Sequence, residues 1–127
     1  MLAKRLELRG IDADYVHSGE DAILKIGKSS YDVAILDVKM PGMDGIAILK
    51  EIKKSFPLVE VIMLTGHGTT ESAVQGMKLG AFDYLLKPAH FDDLTAKLEA
   101  ARQRKDEQEE RVRKAEAKLL LRKSGNI

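Results

Sequence analysis

Three residues in the sequence carry side chains that together could transfer a phosphoryl group: Asp37, Thr65 and Lys87. Each follows a short apolar run typical of a buried parallel strand, so all three are expected at one edge of a sheet, outside the carboxyl ends of its strands. A carboxylate there can attack phosphorus, while a hydroxyl and an ammonium contact the phosphoryl oxygens. Each residue alone has a simpler interpretation in turn or surface chemistry. Their order and context together favour phosphoryl transfer.

The elements that must position these residues alternate along the chain. Apolar runs separated by helical patterns predict an α/β domain with a parallel sheet, containing four strands and five helices. The run at 33–36 is continuous and rich in β-branched residues, so that strand is expected to be buried on both faces. The predicted strands cover residues 13–17, 33–36, 60–65 and 82–86.

Local signals predict where several helices begin and end. Ser18 followed by Asp21 is typical of a helix start, and Gly10 and Gly80 are typical of helix ends. The chain is expected to be helical from Phe91 to about residue 124, because no helix-breaking residue interrupts that stretch. In the helix that starts at residue 69 or 70, the residues expected to face the core are Ala73, Val74 and Met77.

Composition excludes several classes of protein. The chain has 127 residues, of which 44% are hydrophobic and 32% charged, which suits one globular domain. Its net charge is +1, so no basic field predicts direct contact with nucleic acid. It has no cysteine, which excludes disulfides and is compatible with a cytoplasmic protein. No apolar run reaches membrane-spanning length, and the three histidines lack the spacing of metal ligands.

Three motifs extend this interpretation to a family. They are LDVKMPGMDG at 36–45, LTGHG at 64–68 and GAFDYLLKP at 80–88. With them, residues 1–101 resemble the receiver domain of bacterial two-component response regulators, and the TGHG form is most similar to receivers attached to transcriptional activators of the nitrogen-regulation type. The resemblance implies a CheY-like, flavodoxin-like three-layer fold with strand order 2-1-3-4-5. It also implies a cytoplasmic role in phosphorelay signal transduction.

The resemblance assigns a role to each matching residue. It implies that Asp37 is the phosphoacceptor, which takes a phosphoryl group from a sensor histidine kinase or a phosphotransfer protein without being a turnover enzyme. Thr65 would be the phosphate-sensing hydroxyl and Lys87 the cation that contacts the phosphate. A cis peptide bond is implied between Lys87 and Pro88, and Tyr84 would be the aromatic switch residue.

A receiver also begins with a strand that ends in an acidic pair, and these carboxylates bind Mg²⁺. This chain starts at Met1 inside the first helix, so we expect an N-terminally truncated receiver without that central strand or the acidic pair. Asp37 and the backbone carbonyl of Lys39 remain as implied ligands, while Asp12 and Asp14 are expected at the opposite end of the sheet. Weak or absent Mg²⁺ binding and poor phosphorylation are therefore expected.

The gap left by that strand has two possible solutions. The strands at 13–17 and 33–36 could pair directly, or two chains could exchange elements. Open strand edges invite association, so a homo-oligomer is expected, most simply a two-fold dimer.

Residues 102–127 are predicted to form a charged helical extension. Apolar and small residues recur by four and three along the last helix, which is typical of a coiled-coil seam, although two polar residues interrupt it. A solvated helix with i,i+4 ion pairs is the alternative. The seam consists of Leu94, Leu98, Ala101, Lys105, Gln108, Val112, Ala115 and Leu119.

Three functions compete at this point. The first is a phosphoacceptor receiver that switches a partner surface. The second is a receiver-like interaction or dimerisation module that is not phosphorylated because the Mg²⁺-binding acidic pair is absent. The third is an aspartyl-phosphate enzyme such as a haloacid-dehalogenase-type phosphatase, which needs a second Asp two positions after the nucleophile. Lys39 occupies that position, so the third hypothesis is poor.

Overall fold

The structure is a computed structural model that describes residues 2–37, 45–66 and 70–125, with side chains described as far as residue 120. This part of the chain contains five helices and three strands. In order, they are α1 (Leu2–Leu8), α2 (Gly19–Lys28), β1 (Val33–Asp37), α3 (Gly45–Ser55), β2 (Glu60–Thr65), α4 (Thr70–Lys78), β3 (Asp83–Leu86) and α5 (Phe91–Gly125).

The three strands form one parallel sheet in the order β1-β2-β3. The register pairs Asp37 with Leu64 and Thr65 with Leu86, so the carboxyl ends of all three strands lie at one edge. This sheet with helices between its strands confirms the predicted α/β fold class. It also places the end of each apolar run at the edge where the sequence predicted a site.

Helices cover both faces of the sheet, and each face has its own core. Side chains alternate along a strand, so Val61 and Met63 of β2 point to one face while Ile62 points to the other. The first core joins β2 to α2 and α3, where Ile48, Leu49 and Ile52 are fully buried. The second core joins Ile62 to α1 and α5 through Leu6, Leu94, Leu98 and Ala101. The domain therefore has the three layers that the resemblance implied.

The strand predicted at residues 13–17 is wrong. Residues 11–16 have no regular secondary structure, and within the described residues β1 pairs only with β2. A strand exists only as part of a hydrogen-bonded ladder, and this segment has no ladder to join. The direct pairing considered for residues 13–17 and 33–36 is likewise not observed in the part of the chain described.

Side-chain contacts attach this segment to the domain. Ile11 and Ala13 pack against the second core. The Tyr31 hydroxyl donates a hydrogen bond to the Asp14 carboxylate at 2.5 Å, and this bond raises the pKa of Tyr31. The segment is therefore held against the fold by side chains, in the absence of strand pairing.

The burial predicted for β1 is also wrong. Val33, Ala34 and Ile35 are only half-buried, whereas Leu36 is 2% exposed. The cause is the position of β1 at an edge of the described sheet, where only one side of the strand is covered by a neighbour. By contrast, Val61, Ile62 and Met63 in the central strand β2 are fully buried.

Helix α4 faces the sheet differently from the prediction. Ala73 is buried as expected, but Val74 and Met77 are 49% and 42% exposed. Gly76 faces inward instead, and a Cβ at that position would overlap Sδ of Met63. The helix packs through its smallest side chains because α4 approaches β2 too closely for larger ones.

The helix boundaries predicted from Ser18, Gly10 and Gly80 are confirmed. Ser18 lies at the N-cap of α2, and its Oγ accepts a hydrogen bond from the backbone amide of Asp21 at 3.2 Å. Gly10 and Gly80, which follow α1 and α4, have φ angles of +80° and +105° that a glycine adopts without strain. None of the helices in residues 2–37, 45–66 and 70–125 is both long and apolar enough to cross a membrane.

Candidate functional site

The structure brings the three predicted site residues together at the carboxyl edge of the sheet. Asp37 ends β1, Thr65 ends β2, and Lys87 follows β3. The Lys87 ammonium donates a hydrogen bond to Oδ2 of Asp37, and its backbone amide donates one to the carbonyl of Thr65 at 2.7 Å. The peptide bond between Lys87 and Pro88 is cis.

The Asp37 carboxylate is open to solvent although it is paired. Its side chain is 34% exposed and that of Lys87 is 45% exposed. A reactant can therefore reach the carboxylate from outside the sheet edge. The neighbouring ammonium lies where it can also contact negative oxygens on that reactant, which is the electrostatic arrangement that phosphoryl transfer needs.

Thr65 contributes a buried hydroxyl that is unpaired within the described part of the chain. Its residue is 0% exposed, and Oγ1 has no hydrogen-bond partner among the described residues. Leaving such a hydroxyl unsatisfied costs about 1–3 kcal/mol. An unpaired buried donor is a reason to look for a role, and this one lies beside Asp37 and Lys87 at the same edge.

Tyr84 lies on β3 and is 41% exposed. Its backbone amide donates a hydrogen bond to Oδ1 of Asp83 at 2.8 Å, and the other oxygen of Asp83 accepts one from Lys97 of α5 at 2.5 Å. Asp83 therefore connects the backbone of Tyr84 to α5. The exposed apolar residues Val74 and Met77 of α4 lie on the neighbouring element.

The described residues do not fit a Mg²⁺ site. Lys39, the implied carbonyl ligand, lies outside them, and no group of three or more acidic or histidine residues among those described is arranged to hold a metal ion. Asp14 is bound by Tyr31. At the site itself, the described part of the chain offers one carboxylate, Asp37, and Lys87 already binds it. Mg²⁺ in proteins usually takes one or two carboxylates together with waters and substrate phosphates, and here the ammonium of Lys87 occupies an oxygen of the one described carboxylate.

A second charged cluster, which was not among the predicted site residues, lies at the amino edge of the sheet. There Glu60 of β2 has a side chain that is only 10% exposed, and it pairs with Lys53 at 3.2 Å and with Arg104 at 3.4 Å. Two signals could have revealed it: an acidic residue at the start of a fully apolar strand, and Lys105 at a position of the heptad seam that should be apolar.

This chain is similar in sequence to several known proteins. A family profile described as "Response regulator receiver domain" matches residues 1–99. The chain is 42% identical over 92 residues to the transcriptional regulatory protein ZraR of Escherichia coli (strain K12), an alignment covering 72% of this chain and 21% of ZraR. It is 36% identical over 110 residues to the DNA-binding transcriptional regulator NtrC of Salmonella typhimurium, covering 87% of this chain and 24% of NtrC. The chain thus spans less than a quarter of these relatives.

A solved structure is similar to this chain in fold as well as in sequence. The crystal structure of a response regulator receiver domain protein from Clostridium thermocellum superimposes with a TM-score of 0.73 at 42% sequence identity. The match covers 80% of this chain and 82% of that one.

Proposed function

The chain belongs to the response regulator receiver domain family, and we propose that it acts as a phosphoacceptor in a two-component phosphorelay, with Asp37 as the residue that is phosphorylated. The observation that carries this proposal is the partly exposed Asp37 carboxylate at the carboxyl edge of the sheet, with Lys87 donating a hydrogen bond to it. The donor would be a sensor histidine kinase or a phosphotransfer protein in the cytoplasm. The chain would receive one phosphoryl group and signal with it, without turning over a substrate.

In the proposed reaction, a carboxylate oxygen of Asp37 forms a bond to phosphorus while the bond between phosphorus and the donor's histidine nitrogen breaks. The nitrogen keeps that electron pair, and Asp37 becomes an acyl phosphate. Lys87 offsets the negative charge on the transferred oxygens. Receiver domains generally bind Mg²⁺, but the described residues do not supply that ligand set, so this scheme uses only the chain's own groups.

Thr65 and Tyr84 are proposed to report the phosphorylated state. The Thr65 hydroxyl has no partner among the described residues, so a phosphoryl oxygen on Asp37 would give it one. Movement of Thr65 toward Asp37 would vacate space that the Tyr84 ring could enter. Such a local change would bias a partner surface built from α4, β3 and α5 between two states.

A second copy of this chain is a further proposed partner. ZraR and NtrC are transcriptional regulators, and this chain aligns with about a fifth to a quarter of each. We assign the receiver to residues 1–101 and a helical extension to 102–127. The extension, and the open side of β1 at the edge of the described sheet, would join a second copy of the chain into a dimer.

Intact-mass analysis after incubation with acetyl phosphate, with and without Mg²⁺, tests the assignment of Asp37. The expected result is the added mass of one phosphoryl group, which Asp37→Asn abolishes and Asp93→Asn, an exposed carboxylate on α5, leaves unchanged. The yield is expected to be low and to increase when an apolar strand ending in an acidic pair is added before residue 2. Equal phosphorylation of the Asp37→Asn variant would overturn the assignment.

A second measurement separates phosphorylation from switching. Thr65→Ala should still be phosphorylated on Asp37 but lose most of the response at α4 and β3, read from amide chemical shifts. If that response is the same in the variant and in the wild type, the proposed switch is wrong. If the chain that carries the added strand is also not phosphorylated, the proposed phosphoacceptor function is wrong. The alternative function, a receiver-like interaction module that is not phosphorylated, then takes its place.

A further inference from the structure

Helix α5 runs beyond the domain, and only about its first third is part of the core. Leu94, Leu98 and Ala101 are 3%, 9% and 0% exposed and pack against the sheet. Lys105 continues the same face by heptad spacing, but at this point the helix reaches the amino edge of the sheet. A seam position is usually apolar, so a lysine there needs an explanation. A partner for its charge at the amino edge of the sheet would provide one.

That partner is Asp32, the residue immediately before β1. The Lys105 ammonium lies 2.9 Å from Oδ1 of Asp32, and it also binds Glu109 one helical turn further on. The Lys105 side chain is only 13% exposed, whereas the exposed fraction of the Asp32 side chain is 45%. A long, flexible lysine is therefore held in one position on the surface of the domain.

The neighbouring residue, Arg104, contacts the start of the next strand. Its Nε lies 3.4 Å from Oε2 of Glu60, and its guanidinium lies 5.8 Å from the centre of the Phe82 ring. The backbone amide of Glu60 donates a hydrogen bond to the carbonyl of Asp32 at 3.1 Å, so the two acidic residues belong to adjacent strand starts.

Two contacts to two strands restrict the helix more than one contact does. Successive residues of an α-helix point about 100° apart, and neighbouring strands lie about 4.8 Å apart. Contacts from Arg104 and Lys105 to different strands therefore oppose both rotation of α5 about its axis and tilting away from the sheet. One exposed ion pair would restrict neither to the same degree.

We propose that Asp32, Glu60, Arg104 and Lys105 form a clamp that fixes the direction in which α5 leaves the domain. With this tail clamp closed, the folded unit extends to about residue 109, and the helix beyond it projects in one direction. With the clamp open, the tail changes direction relative to the sheet. The inference concerns the amino edge of the sheet and does not depend on the phosphorylation of Asp37.

The clamp also sets the position of the exposed part of the tail. Val112 and Leu119 are 42% and 56% exposed beyond the last clamp contact. Their distance from α4 and β3 is constant only if α5 leaves the domain in one direction. Any partner that contacts both the tail and the domain would therefore depend on the clamp.

Distances between two spin labels test the direction of the tail. The chain has no cysteine, so Gln75→Cys on α4 and Lys118→Cys on the tail place labels at two exposed positions only. A large excess of unlabelled chain ensures that the distances measured are within one molecule. The labelled chain without further substitutions should give one narrow distance distribution. The double variant Arg104→Gln, Lys105→Gln, labelled at the same positions, should give a broader one. Glutamine is a good helix former, so the helix itself should persist.

The matched control removes two positive charges from the same helix beyond the clamp. Arg111 and Lys114 are exposed, and changing both to glutamine should leave the narrow distribution intact. If the Arg104→Gln, Lys105→Gln variant keeps the narrow distribution, or if the control broadens equally, the tail clamp is wrong.

Amide hydrogen exchange distinguishes an open clamp from a damaged domain. Opening the clamp should lower the protection of the amides at residues 102–109, which lose their contacts with the domain but remain helical, and should leave β2 protected. If β2 also loses protection in the double variant, the single variant Lys105→Gln tests the clamp instead. In that variant the buried Glu60 keeps both of its ion pairs, with Lys53 and with Arg104. That single variant should then broaden the distance distribution with β2 intact, and an unchanged distribution would overturn the proposal.

Discussion

The ammonium of Lys87 donates a hydrogen bond to the carboxylate of Asp37, a residue 50 positions earlier in the chain. Parallel pairing of the three strands creates this relationship, because it brings the end of β1 and the residue after β3 to one edge of the sheet. Both side chains remain partly exposed. The pair therefore combines a carboxylate, which we propose to be the nucleophile, with a positive charge that could also bind the phosphoryl group.

Removing the ammonium should slow phosphorylation without unfolding the domain. We expect Lys87→Met to lower the initial rate of phosphoryl incorporation on Asp37 by about tenfold or more, since a positioned donor to the transferred oxygens is lost. Lys78→Met, at the exposed end of α4, is the matched control and should react at the wild-type rate. Equal rates for the two variants would show that Lys87 does not assist the reaction.

Replacing a buried residue usually destabilises a protein, but Thr65→Val should not. The Oγ1 atom of Thr65 has no partner among the described residues, so its removal should raise the free energy of unfolding by about 1 kcal/mol. Thr95→Val is the contrasting control, because its hydroxyl donates a hydrogen bond to the carbonyl of Asp92 at 3.0 Å and its loss should destabilise. Urea unfolding measures both, and a loss of stability in Thr65→Val would contradict this prediction.

Replacing either of two glycines of α2 by alanine should change the free energy of unfolding, in opposite directions for the two positions. A Cβ at Gly19 would overlap the side chain of Ile48, which is fully buried, so Gly19→Ala should lower the free energy of unfolding by about 1–3 kcal/mol. At Gly27 the nearest atom is Cζ of Phe56 at 3.5 Å, an ordinary contact. Gly27→Ala should raise stability by about 0.5–1 kcal/mol through helix propensity. The same sign for both variants in thermal unfolding would refute this packing.

The full chain should be a dimer whose association depends on the tail. Val112, Leu119 and Leu120 are exposed along α5 after the tail clamp. Light scattering at micromolar concentration should give twice the chain mass, and a chain that ends after Glu109 should be monomeric. Persistent association of the shortened chain would instead implicate the open side of β1. A compact monomer of the full chain would exclude both routes.

Alkaline pH should open the tail clamp through Lys105. Burial lowers the pKa of Lys105, but its hydrogen bonds to Asp32 and Glu109 outweigh that effect and raise the pKa overall. Its stabilising contribution is therefore complete below the unfolded pKa of about 10.4 and is lost as pH rises through the higher folded value. The free energy of unfolding of the wild type should fall more steeply above about pH 10 than that of Lys105→Gln. Parallel curves would mean that Lys105 makes no such contribution.

The sequence alone determined several helix ends, three of the four predicted strands and the edge of the sheet at which the candidate site residues lie. Ser18, Gly10 and Gly80 act over a few residues of backbone, so their effects on helix ends could be predicted. The ends of apolar runs placed Asp37 and Thr65 at the carboxyl edge, because parallel strands all end on the same side of a sheet. These features depend on local conformation and on a general rule of topology.

Tertiary structure decided what depends on neighbours. Residues 13–17 have a strand-like pattern but form no strand, since pairing requires an adjacent backbone. Val74 and Met77 have the spacing of core residues, yet the close approach of α4 to β2 leaves room only for Ala73 and Gly76. Burial is a property of the space between two elements, and no pattern within one helix specifies that space.

The last helix shows both influences in one element. Its heptad pattern is visible in the sequence as a seam from residue 94 to residue 119, interrupted by Lys105 and Gln108. In the structure, Leu94, Leu98 and Ala101 are used within the chain's own core, and Lys105 binds Asp32 at the end of the sheet. The sequence determined which residues share a face of α5. The length of the sheet beneath that face determined where burial ends and exposure begins.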